Sequence, residues 1–282
     1  ARIRTRRAVH EKYRHREPPK YIRGWTFFDD DSVTDGGLRG IGASGGVVTG
    51  TARVCRELSQ ITSLRKGDIL VSVATDPGWT AVFGSLGGIV VETGGVVAHA
   101  VMIAREYGRP CVSNVVNACE RIPDGATITI DGRTGVVRVD AIRHAEERSA
   151  EFDADSAALR AVVSDFAGIG RWWPGGFASV EVHGPAARPI GRVLRRHDGS
   201  EVSETLVELS DVDRALVLRI DSGLPSSVED YTCRYVVRDS PGGGSTLHWS
   251  PSGLVRCGDE AEFATIVDRG WAAVTAGLGS VL

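Results

Sequence analysis

The sequence predicts an α/β domain over residues 40–141 followed by an α+β domain over residues 151–282. Three observations predict this. At 282 residues, the chain has the length of about two domains. Between residues 40 and 140, short β-rich runs intermix with short helical stretches, the pattern of a compact β/α sandwich or barrel. From residue 151 onward, a helix leads into strands at hairpin spacing, and a long amphipathic helix closes the chain.

The elements follow in order. Residues 1–39 are a basic connector segment: Arg2, Arg4, Arg6, Arg7, Lys12, Arg14 and Arg16, then Pro18-Pro19 and an Asp/Gly-rich joint. With no aromatic interleaving and no nucleic-acid motif after it, the basic run reads as a solvated helix. The first domain has β-rich runs at 47–55, 68–73, 88–91, 127–130 and 136–139, with helical stretches at 78–86, 98–107 and 114–118. Asp76 is placed to cap the first helix and Pro77 suits its first position. Residues 142–150 are charged and read as an interdomain linker. In the second domain a helix at 155–165 precedes strands near 178–184, 189–196, 201–209, 214–221, 230–239 and 244–250. His197-Asp198-Gly199-Ser200 is a hairpin turn. A final helix at 260–276 lines up Phe263, Ile266, Val267, Trp271 and Val274 on one stripe.

Composition narrows the function. A hydrophobic content of 42%, a charged content of 24% and a net charge of −3 describe a globular protein with no global field for nucleic acid or membrane. The five cysteines are odd in number and contain no C-x-x-C, which argues for a reducing cytoplasm and against a disulfide framework or a zinc site. No apolar run approaches the roughly 18 residues of a membrane span, and no signal peptide is visible. The first residue is Ala1 and not Met, which fits a trimmed chain or one part of a longer polypeptide.

The chemistry centres on residues 88–110. Gly88 to Val91 reads as a buried strand and Glu92 to Gly95 as a glycine-dependent turn. The pattern is helical from Val97 to the C-cap signal Gly108-Arg109-Pro110. His99 therefore falls in the first turn of a helix, where free backbone amides make an anion site. The positive end of the helix disfavours imidazolium, which keeps His99 neutral and nucleophilic. A neutral histidine beside an anion cradle suits phosphoryl transfer through nitrogen. Gly94 and Gly95 supply the turn; Thr93 either caps the helix or holds a phosphate oxygen. Arg105 either binds phosphate or makes a structural ion pair.

Residues 40–139 resemble the swivelling phosphohistidine domain of phosphoenolpyruvate-utilising enzymes. The resemblance rests on pieces in the family's order. They are Gly42-Ala43-Ser44-Gly45-Gly46, Gly50-Thr51-Ala52-Arg53-Val54, Lys66-Gly67-Asp68-Ile69-Leu70-Val71, Thr75-Asp76-Pro77, Gly88 to Glu92, Gly94-Gly95, His99, Ala104 to Pro110, and Asp131-Gly132 with Gly135. It implies a swivelling β/α sandwich with His99 as phosphocarrier and Thr75 and Asp76 in a loop near it. The family carries Ser or Thr just before the histidine, where this chain has Ala98.

Residues 151–282 resemble the helix-grip fold of the START-like (SRPBCC, polyketide cyclase/dehydratase) superfamily. The matching residues include Asp165-Phe166 with Trp172-Trp173-Pro174, Gly191-Arg192-Val193, Asp198-Gly199, Glu204-Thr205-Leu206, Tyr231 and Ser245 to Trp249. The fold implies a deep cavity for a small hydrophobic or aromatic molecule between sheet and C-terminal helix. Trp172, Trp173, Arg192, Glu204, Tyr231, His248 and Trp249 are its candidate lining, and Arg219 a further polar candidate.

Together these imply a transferase component: His99 passes a phosphoryl group from a separate ATP-dependent kinase domain to a hydroxylated acceptor in the cavity. ATP and magnesium are expected on that kinase domain, with no cofactor or metal on this chain and no nucleic-acid or membrane partner. The alternative is a polyketide cyclase/dehydratase, or a ligand-binding protein, that acts through the cavity, with the first domain degenerate or used for docking.

Overall fold

The computed structural model describes residues 37–95, 97–185 and 189–282, and the backbone of two short antiparallel strands, β1 (Tyr21–Arg23) and β2 (Thr26–Phe28). Apart from those strands and residues 37–39, the expected basic connector lies outside the described residues. Two compact units meet in sequence between Arg138 and Val139.

The first unit contains β3 (Leu38–Arg39), β4 (Ile41–Ser44), β5 (Val47–Val54), β6 (Ile69–Ser72), β7 (Gly88–Val91), β8 (Cys111–Ser113), β9 (Thr127–Asp131) and the start of β10 (Val136–Ala145). Strands are ordered β9–β5–β6–β7–β8–β4. The β5/β6, β6/β7 and β7/β8 pairs are parallel, and β4 returns antiparallel to β8. Every residue of β6 and β7 is buried, as their apolar runs require of central strands covered on both faces. Helical segments supply one cover. Trp79 and Phe83 come from the short turns Pro77–Trp79 and Thr80–Phe83. Val101 and Ala104 come from helix α1 (His99–Glu106), and all four join Leu70, Ile89 and Val91 in one core.

The helical stretch expected at 114–118 forms instead at Ala118–Arg121. Asn114 (φ 56°) and Asn117 (φ 52°) occupy the left-handed region, which no α-helix can include.

The second unit contains β11 (Arg148–Phe152), helix α2 (Ser156–Ser164), a turn at Ile169–Trp172, then β12 (Ser179–His183), β13 (Gly191–Arg195), β14 (Glu201–Ser210), β15 (Ala215–Ser222), β16 (Val228–Asp239), β17 (Ser245–Arg256) and helix α3 (Glu260–Gly279). β12 through β17 form one antiparallel meander. Asp155 caps α2 by accepting from the Ala158 amide at 2.8 Å. Along β17 the residues alternate between buried and half-buried, so Leu247, Trp249 and Val255 face the core. Helix α3 lays Phe263, Val267, Val274 and Leu278 into it at helical spacing. A sheet gripping a long C-terminal helix is the expected helix-grip arrangement.

The expected linker at 142–150 is corrected by the register. Ala141–Ala145 pair with Arg256–Ser252, and Arg148–Phe152 pair with Trp249–Ser245, so most of this segment is strand along one edge of β17. An edge strand buries one face only, and alternate charged side chains are compatible with it. Glu146 and Glu147 sit at the break, where the Glu146 amide donates to the Pro251 carbonyl at 3.0 Å.

Candidate functional sites

The turn after β7 fixes the entry to α1. Glu92 accepts from the Cys119 amide at 2.8 Å. The Thr93 amide and hydroxyl both donate to the Val73 carbonyl at 3.0 Å. The Gly94 amide donates to Asn114 Oδ1 at 3.1 Å. Gly94 has φ +140°, and a Cβ there would stand 2.9 Å from the Ala98 methyl, so this position requires glycine. Ala98 is the N-cap, extended at φ −65°, ψ 151°, with no side chain able to cap, and His99 is the first helical residue.

The His99 ring is half-buried between two threonines. Thr75 Oγ1 lies 2.9 Å from Nδ1 and Thr80 Oγ1 lies 3.2 Å from Nε2. The Phe83 ring meets the imidazole edge-on at 5.8 Å between centroids. Both hydroxyls come from one loop. Asp76 Oδ1 accepts from the Gly78 amide at 2.8 Å and Pro77 sets the first φ, so the chain turns helical just after Thr75 and carries Thr80 back to the ring. A neutral imidazole offers one donor and one acceptor nitrogen, and a hydroxyl can serve either. This pair of contacts can hold one tautomer and fix the ring plane.

Of the residues singled out in the sequence, Thr75 contacts His99 directly, and Asp76 shapes the loop as its cap. Thr93 and Arg105 turn to backbone carbonyls, Arg105 Nε donating to Ala43 O at 2.7 Å. Thr80 escaped the sequence reading. Its signal is its spacing, one helical turn past the Asp76-Pro77 start.

The absent cap gives a test. Ala98→Ser should stabilise the first unit by about 1 kcal/mol through a hydroxyl to the second or third amide of α1, read as a higher denaturant midpoint. An unchanged or lower midpoint would show that the first turn is already satisfied.

The second unit encloses a cavity of about 340 Å³ between the sheet and α3. Trp173, Arg192, Glu204, Tyr231 and Trp249, all expected there, line it. Trp172 and His248 do not. Trp172 packs with Val274 and Leu278 in a neighbouring core cluster. His248 stands one residue from Trp249 on β17 and therefore faces the other side of the sheet. Arg219 is also outside the cavity lining: it is exposed and pairs with Asp221 at 2.7 Å.

Arg192 is buried, donates through Nε and Nη2 to Glu204 Oε2 at 2.6 Å, and reaches the Phe166 carbonyl through Nη1 at 2.8 Å. Tyr231, Cys233 and Tyr235 alternate along β16 and share the cavity face, and the sequence reading found only the first. Burial raises both phenols well above their ordinary range and pushes the Cys233 thiol up to about 12, so all three stay protonated at neutral pH. Trp249 stacks on Trp271 at 5.7 Å, and its buried Nε1–H faces Cys233 and Tyr235 without making a well-formed hydrogen bond to either.

No helix among the described residues is long and apolar enough to cross a membrane.

Comparison with known proteins finds a family model that matches part of each unit. Residues 64–135 match the family described as PEP-utilising enzyme, mobile domain, and residues 143–279 match polyketide cyclase / dehydrase and lipid transport. An uncharacterized phosphotransferase of Bacillus subtilis, YvkC, is 40% identical over 111 residues, covering 39% of this chain and 13% of that protein. The rifampicin phosphotransferase of Streptomyces sviceus is 37% identical over 142 residues, 49% of this chain and 16% of its own length. This chain thus spans only 13% and 16% of the length of these two relatives. Among solved structures, a truncated norcoclaurine synthase from Thalictrum flavum is similar at TM-score 0.41 and 18% identity, covering 51% of this chain and 96% of that one. The two matches follow one another along the chain, the first over its N-terminal unit and the second over its C-terminal unit.

Proposed function

We propose that this chain, in which a PEP-utilising mobile domain precedes a START-like domain, is the phosphocarrier portion of a phosphotransferase. His99 accepts a phosphoryl group from an ATP-dependent kinase domain lying outside the chain and delivers it to a hydroxylated aromatic or apolar molecule held by the cavity. The observation that carries the reading is the imidazole at the start of α1 with a threonine hydroxyl on each ring nitrogen.

The roles divide as follows. Nδ1–H donates to Thr75, which leaves the lone pair on Nε2. In the first step the Nε2–P bond forms as the bond from the transferred phosphorus to its bridging oxygen in the nucleotide breaks, and the shortened nucleotide leaves on the kinase domain. Thr80, at 3.2 Å the longer of the two contacts, then donates to a phosphoryl oxygen. In the second step the acceptor oxygen attacks phosphorus, the N–P bond breaks, and the hydroxyl proton leaves to solvent. ATP and magnesium belong to the kinase domain, and this chain supplies the nucleophile and its orientation. The relatives named rifampicin phosphotransferase support phosphoryl transfer to a small molecule.

Incubation with the cognate kinase and magnesium-ATP, followed by intact-mass analysis, tests the reading. One acid-labile phosphate should be gained and be absent from His99→Ala. No gain, or a phosphate retained by His99→Ala, would sink it. Turnover of a polyketide-like substrate without any phosphate on the protein would instead favour the cyclase/dehydratase alternative.

A further inference from the structure

The cavity has two unlike ends. Tyr231 and Trp249 are each 2% exposed and form its inner wall with Cys233 and Tyr235. The polar groups of that wall are a thiol and two phenols, which stay protonated and can each donate or accept, and the Trp249 Nε1–H, which makes no well-formed hydrogen bond. The Glu204 carboxylate lines the same cavity but is held by Arg192. A buried donor without a partner costs free energy that a bound acceptor recovers. The indole N–H, which has no acceptor capacity, therefore selects a ligand oxygen with lone pairs. A carbonyl oxygen accepts from more than one donor at once and fits this cluster. Apolar and aromatic side chains, Trp173, Phe177, Leu218 and Ile266 among them, make the remaining wall suited to a flat ring system.

The opening is different. Arg196 and Arg269 line the cavity and are exposed, which puts them at its mouth. Among the described residues neither makes an ion pair, whereas Arg192 and Arg195 on the same strand both do. Arg196 reaches only Ser200 Oγ, at 3.1 Å, with Asp198 a weaker electrostatic neighbour. Two guanidinium forks without carboxylates, beside an apolar hole, form an anion-binding rim.

We infer that the cavity binds a phosphate monoester of a planar aromatic carbonyl compound. The carbonyl oxygen accepts from Trp249 Nε1 and the Tyr235 hydroxyl, and the phosphate lies at the mouth against Arg196 and Arg269. This rests on the reading of the cavity as the acceptor site and deepens it: the second unit holds the phosphorylated compound as well as its parent. Gly270, next to Arg269, keeps the wall open, because a Cβ there would meet the Trp249 ring at 3.0 Å.

Methylumbelliferyl phosphate and methylumbelliferone are suitable probes, each a fused aromatic ring with a carbonyl at one end and the variable group at the other. Calorimetry on the full chain at neutral pH should show the ester bound about tenfold more tightly, a single charge-assisted hydrogen bond's worth. Arg196→Gln with Arg269→Gln should erase that preference. Trp249→Phe and Tyr235→Phe should each weaken both probes by several-fold; the second removes only a hydroxyl and keeps the test valid if the first misfolds. Equal affinity for the two probes in the wild type, or unchanged affinity in both aromatic variants, overturns the inference. Phosphorylation of His99 is read separately. A phosphorylated His99 with no ester preference overturns this inference alone, and failure of both also removes the carrier reading.

Discussion

Glu204→Ala should destabilise the second unit by roughly 3–5 kcal/mol, the range for leaving a buried charge unpaired. Arg192 is 5% exposed, and among the described residues Glu204 is the only carboxylate paired with it. Its other contacts, the Phe166 carbonyl at 2.8 Å and the Phe166 ring at 4.4 Å, cannot neutralise it. Urea denaturation followed by tryptophan fluorescence would read the loss, because Trp172, Trp173, Trp249 and Trp271 all lie in this unit. The double substitution Arg192→Met with Glu204→Leu removes both charges and should cost much less. If Glu204→Ala and the double variant fall equally, the pair's contribution lies in packing and not in charge.

Thr80→Val should slow phosphoryl acceptance by His99 about a hundredfold, the scale for loss of one donor aimed at charge that develops in the transition state. Valine keeps the shape of threonine and removes the hydroxyl, so α1 and the Phe83 contact should persist. Thr75→Val acts on the other nitrogen, at 2.9 Å, and should change which nitrogen carries the proton. Nitrogen NMR of the imidazole separates the two. A tautomer shift in Thr75→Val with little shift in Thr80→Val matches the assigned roles. Equal rates for wild type and Thr80→Val would remove Thr80 from the site.

The order of elements was legible because each half announces its period. The unbroken apolar runs of β6 and β7 require strands covered on both faces, and the 3.6-residue stripe of α3 requires an amphipathic helix. His99 was legible from the glycine turn and C-cap signals around it. Thr80 was not, because its role depends on a loop folding back from a neighbouring strand, and nothing local records that distance. Residues 142–150 do not show as strand in the sequence because their charge content hides the alternation. Their strand character comes from β17, about a hundred residues away, as edge pairing set by tertiary context and not by local propensity. The cavity wall was half-read. Trp249 and Tyr231 stand out as aromatics, whereas His248 outside and Cys233 and Tyr235 inside follow only once the strand phase is fixed by the period of two.

The pairing of β10 and β11 with β17 sets where the molecule can be divided. A cut placed in the charged stretch between Asp140 and Glu151 would strip the border from the strand that carries Trp249, leaving its backbone amides and carbonyls open to pairing with other chains. A second unit prepared by itself should therefore start upstream of Ala141, although the composition of the region invites a later boundary.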